Sequence, residues 1–95
     1  MTETRSIHKP KIVDIEPEAA KTKTVISIEG DHLGGAIKVK FTPATGSPQD
    51  VTPEVLSNEL ITVKVPERLP AGNTDVTVEN SAGWSAPYVF AVLRS

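Results

Sequence analysis

The chain has 95 residues, no cysteine, a formal net charge of -2 and a pI near 5.6. That length makes one domain, and the lack of thiols excludes disulfides, a thiolate nucleophile and a cysteine-based zinc site. The near-neutral charge argues against a nucleic-acid partner, which needs a concentrated positive surface, and no apolar run approaches the ~20 residues of a membrane span, so no membrane insertion is expected.

Residues 1–9 are polar, stop at Pro10 and read as a flexible N-terminal lead-in to a domain over residues 10–95. They hold no apolar core of a signal peptide. Lys11 to Glu16 is predicted as a first edge strand, stopped by Pro17, which has no N–H to give to a ladder. Residues 17–21 read as a turn, too short for a stable helix despite Ala19 and Ala20. Lys23 to Glu29 is the second strand, with Thr24, Ile26 and Ile28 inward. Residues 30–35 run Gly-Asp-His-Leu-Gly-Gly and form a tight connection in which glycine is expected to supply positive φ. Ala36 to Phe41 carries the cleanest alternation: Ile37, Val39 and Phe41 lie on one face, Lys38 and Lys40 on the other.

Thr42 to Pro53 holds three prolines and reads as a loop with a short edge strand around Gln49 to Val51. Glu54 to Glu59 is a short strand or a turn. Leu60 to Val65 is a strand closed by Pro66, followed by a loop over residues 67–72. Asn73 to Asn80 is the next strand, Ser81 to Ser85 a hairpin connection, and Ala86 to Leu93 the last strand. Half-buried alternation with turns every ~8–12 residues points to an all-β fold: an immunoglobulin-like two-sheet β-sandwich of about seven antiparallel strands. The predicted core is Ile12, Ile15, Ile26, Ile28, Leu33, Ile37, Val39, Phe41, Ile61, Val63, Val65, Val76, Val78, Tyr88, Phe90 and Val92.

An ordered set of residues resembles the IPT/TIG domain across nearly the whole chain, residues 10–93. It comprises Pro10, Ile12, Ile15 and Pro17; Val25, Ile28, Gly30 and Leu33; Val39 and Phe41; Ile61, Val63, Val65 and Pro66; Gly72; then Val76, Val78, Asn80, Gly83, Ser85 and Phe90. The most specific piece runs from Val65-Pro66 through Asn80-x-x-Gly83-x-Ser85 to Phe90. The resemblance implies an immunoglobulin-like sandwich with no catalytic residues of its own. Such domains occur in receptor ectodomains, in intracellular transcription factors and beside catalytic domains of bacterial carbohydrate-active enzymes, where they space, dimerise or bind partners. Cell-surface, extracellular and intracellular locations are all compatible with it. Ala19 and Ala20 stand where the family usually carries glycines.

The side chains that could carry chemistry are few. Asp31 and His32 sit together in the Gly30–Gly35 connection, but a metal site needs three or more converging ligands, and His8 is the chain's only other imidazole. No serine sits on a nucleophile elbow. Asp14, Glu16 and Glu18 alternate along the first strand and its turn; they offer oxygen ligands to calcium or simply a charged edge that resists aggregation, and the second reading is preferred. No catalytic residue, cofactor or metal is assigned, and the chain is expected not to be an enzyme.

Three residues are left as candidate contacts. Lys38 and Lys40 share an outward face, which Lys64 joins if its strand lies in the same sheet. Trp84, the sole tryptophan, lies on a turn, where it either folds over the sandwich end or stands out as a contact anchor. The function expected is a non-catalytic module for protein–protein interaction, spacing or assembly, through a protein partner or self-association. The alternative is a carbohydrate-binding accessory domain of a bacterial surface protein or carbohydrate-active enzyme, on the strength of Trp84.

Overall fold

In the computed structural model, which describes residues 8–94, two β-sheets pack face to face around an aliphatic core. Ten strands are formed among the described residues: β1 Lys11–Glu16, β2 Ala19–Lys21, β3 Val25–Asp31, β4 Lys38–Pro43, β5 Gln49–Val51, β6 Glu54–Ser57, β7 Leu60–Lys64, β8 Gly72–Asn80, β9 Gly83–Trp84 and β10 Tyr88–Leu93. One sheet has the order β1-β3-β7-β6. The other has the order β2-β10-β8-β4-β5, with β9 on the far end of β8. The lead-in predicted over residues 1–9 falls outside the described residues up to residue 7.

The alternating runs become strands because period 2 puts every second apolar side chain into the space between the sheets. Ile26 and Ile28 of β3, Val39 and Phe41 of β4, Ile61 and Val63 of β7, Val76 and Val78 of β8, and Phe90 and Val92 of β10 are all buried there. Phe41 and Phe90 meet edge to face, ring centroids 6.4 Å apart at 77°. Burying such side chains contributes about 1.5–3 kcal/mol each before chain entropy is counted.

The structure corrects several sequence expectations. Residues 19–21 are a strand, not part of a turn. β2 pairs parallel with β10, Ala20 opposite Val92, so the sandwich is not purely antiparallel. Pro17 ends β1 by lacking an N–H, the chain crosses to the other sheet, and the Ala91 N–H reaches the Glu18 carbonyl at 3.2 Å. Small alanines suit this close crossing, and Ala20 joins the core. Ile37, expected in the core, is 57% exposed. Its parity is right, but it stands ahead of the first β4 ladder pair, Lys38 opposite Glu79, past the part of the strand that the core covers. Ile12 and Tyr88 are only partly buried and pack against the core rim, whereas Leu69, read as loop, is buried.

In the Gly30–Gly35 connection the positive φ belongs to His32, at 60°, and to none of the three glycines. Gly30 serves another need: a Cβ there would run into the Lys11 backbone carbonyl across the β1–β3 ladder. Residues 54–59 are both things expected of them, β6 over Glu54–Ser57 and then a turn into β7.

Candidate functional site

Asn80 and Ser85 fix the local geometry that presents Trp84. The Ser85 Oγ accepts from the Val78 N–H at 2.9 Å and donates to the Ala86 carbonyl at 3.0 Å. The Asn80 Oδ1 accepts from the Ala82 N–H at 2.8 Å. The Asn80 Nδ2 donates to the His8 carbonyl at 2.8 Å and, more weakly, to the His32 carbonyl at 3.4 Å. Both side chains are buried, with Asn80 only 2% exposed. Gly83, at φ 136°, completes the reversal. The Asn-x-x-Gly-x-Ser spacing is therefore a clasp: it satisfies buried polar groups and holds the two-residue strand β9 against β8.

β9 places Trp84 on the outer face of the six-stranded sheet. Trp84 pairs with Glu79 of β8, and Glu79 pairs in turn with Lys38 of β4. The next row runs Thr77, Lys40 and Asp50 across β8, β4 and β5. Residues paired across a ladder point to the same face, so these six side chains form one surface patch. Within it the Lys40 Nζ lies 4.9 Å from the Trp84 ring centroid, a cation–π contact. The Lys38 Nζ lies 3.9 Å from the Asp50 Oδ2, with both side chains about half exposed. Trp84 itself is half-buried.

All three candidate contact residues, Trp84, Lys38 and Lys40, are thus brought together. Lys64 is not among them: β7 belongs to the other sheet, so its ammonium faces the opposite side of the molecule. Sequence reasoning missed Glu79, Thr77 and Asp50, because only the order of strands within the sheet reveals them as neighbours of the indole.

The remaining titratable groups are spread out. Asp31 and His32 are both exposed, and the His32 ring stacks on His8 with centroids 4.6 Å apart. Among the described residues no three His, Asp or Glu side chains converge as a metal site would require. Asp14, Glu16 and Glu18 are split by the crossing between sheets: Asp14 and Glu16 lie on the β1 edge, while Glu18 sits at the crossing. The Asp14 Oδ1 accepts a hydrogen bond from the Tyr88 hydroxyl at 3.1 Å. The phenol is pushed above its ordinary pKa, first by partial desolvation and then by the hydrogen bond and charge of Asp14, with Glu18 adding to it. An open groove of about 480 Å³ runs over the outer face of the four-stranded sheet beside Val13, Glu29, Ser57, Glu59 and Leu60, and among the described residues no aromatic side chain lines it. No helix among the described residues is long and apolar enough to cross a membrane.

The family model of the IPT/TIG domain matches residues 10–92, and the chain belongs to that family. No curated protein matches it. Among solved structures it is similar to an auxiliary nutrient binding protein from Bacteroides thetaiotaomicron VPI-5482, with 17% identity, a TM-score of 0.65, and 92% of this chain aligned to 21% of that one. It is also similar to SGBP-B from a complex xyloglucan utilization locus in Bacteroides uniformis, with 19% identity, a TM-score of 0.65, and 87% of this chain aligned to 23% of that one. The chain therefore spans about a fifth of the length of these proteins, and at such identity the likeness establishes the shared fold alone.

Proposed function

We propose that this chain acts as a non-catalytic immunoglobulin-like module for spacing, assembly or protein–protein interaction. In-line spacing is the role its geometry supports best. The observation that carries this reading is where the chain enters and leaves the sandwich. His8 is held at one pole by Asn80, the last residue of β8. Val92 pairs with Gly72, the first residue of β8, at the other pole. Eight strand steps separate those poles, about 26 Å at ~3.3 Å per residue. A module threaded from pole to pole adds its length to whatever precedes and follows it. The fold it shares with a longer auxiliary nutrient binding protein and with a protein of a xyloglucan utilization locus supports a setting in nutrient capture. Sedimentation equilibrium over a wide concentration range tests the spacing role: one monomeric mass throughout is expected, and a defined oligomer would replace spacing with assembly.

A second reading, a carbohydrate-binding accessory domain, is favoured by one observation: the sole tryptophan lies on an outer sheet face among polar side chains rather than in the core. Glycan titration followed by Trp84 fluorescence tests it. Saturable quenching is the expected result on this reading, and an unchanged indole signal across neutral and acidic oligosaccharides would remove it.

A further inference from the structure

The geometry points to acidic saccharides as the ligands of the Trp84 face, with a uronate carboxylate paired to Lys40 and the C–H face of the sugar stacked on the indole. This inference rests on the carbohydrate-binding reading above and adds to it the class of sugar.

The charges of the patch decide the class. Lys38 already has a carboxylate, Asp50, at 3.9 Å. Lys40 has none within ion-pair distance among the described residues, and its ammonium rests instead over the Trp84 ring at 4.9 Å. Its ladder neighbours are the neutral Thr77 on β8 and Asp50 on β5, whose carboxylate is turned to Lys38. Lys40 is thus the cation of this face that an incoming anion can pair with without breaking an existing ion pair. Its strand, β4, is flanked by β8 and β5, and Trp84 is held by the Asn80 and Ser85 clasp, so both groups sit on rigid elements. Glu79, opposite Trp84, and Asp50, opposite Lys40, are the acids on the same patch, and they oppose a second carboxylate.

The contact between Lys40 and Trp84 also discriminates between sugars. A hexose stacks on an aromatic face through its slightly positive C–H groups, the same feature of the ring that attracts the ammonium. A neutral sugar must displace the ammonium and offers it only hydroxyl oxygens as acceptors. A uronate gives it a carboxylate, a charge-assisted partner, as it takes the ring. The exchange favours the acidic sugar, and the preference weakens with salt because the pair lies at the surface.

The experiment is titration of the full chain with α-1,4-linked trigalacturonate and with its carboxyl-reduced neutral counterpart, read by Trp84 fluorescence and by calorimetry. At low salt the acidic trisaccharide is expected to bind about fivefold tighter than the neutral one, a preference lost at ~0.5 M salt. Lys40→Met is expected to abolish the preference while leaving the melting temperature in place. Trp84→Ala is expected to remove binding of both. Equal affinity for the two sugars, or an acidic preference that survives Lys40→Met, would overturn the assignment while leaving carbohydrate binding standing. No binding of either sugar would overturn both.

Discussion

Asn80 shows how one side chain can join distant parts of the chain. Its amide contacts backbone groups of residues 8, 32 and 82 from a buried position. Asn80→Ala leaves those groups without partners and is expected to lower unfolding free energy by about 1–3 kcal/mol, measured by urea denaturation. Tyr88 is linked to pH. Its folded pKa is raised, so on raising pH the unfolded chain loses the phenol proton first. The resulting stability is intact below the ordinary phenol value of ~10 and is lost as pH climbs through the higher folded value. Tyr88→Phe should therefore be less stable than the parent at neutral pH, through loss of the bond to Asp14, and the gap between the two proteins should narrow above pH ~10. Denaturation midpoints between pH 8 and 11 would show this. At this scale the sequence exposed Trp84 as unusual, yet could not show Lys40 over its ring, because that contact depends on strands far apart in the chain. The clasp was visible as a family pattern, but its hydrogen bonds were not.

Strands β3, β4, β7, β8 and β10 were legible because each buries one face, and burial writes period 2 into the sequence. β2 was not legible. Three residues with two alanines carry no period, and its pairing with β10 is set by the crossing at Pro17. Ile37 marks the opposite error: alternation continues past the point where the core ends. Sheet membership was likewise invisible locally, which is why Lys64 could be grouped with Lys38 and Lys40 from pattern alone. The β1–β3 ladder gives the sharpest test of an element. Gly30→Ala drives a methyl group into the Lys11 carbonyl, and the strands must part to admit it. A loss of about 1–3 kcal/mol is expected, with amide exchange accelerated along β1 first. Unchanged exchange on β1 would contradict the close approach.

As a whole, the chain is an elongated sandwich of 49 × 21 × 19 Å whose aromatic core is a single Phe41–Phe90 pair. Phe41→Ala and Phe90→Ala should each cost roughly 3–5 kcal/mol, and a double-mutant cycle should give a coupling of about 0.5–1.5 kcal/mol from the edge-to-face contact. Losses that simply add would deny the pair that role. The fold class was open to sequence reasoning because spacing and alternation agree along most of the chain; the pole-to-pole path was not, since it follows from which strands lie beside β8. That path is the centre of the functional account. Its most direct test is small-angle X-ray scattering on two copies of residues 8–94 joined head to tail. The expected result is a maximum dimension close to twice that of one copy. A dimension barely larger than one copy would mean that the copies fold back side by side, and it would contradict in-line spacing.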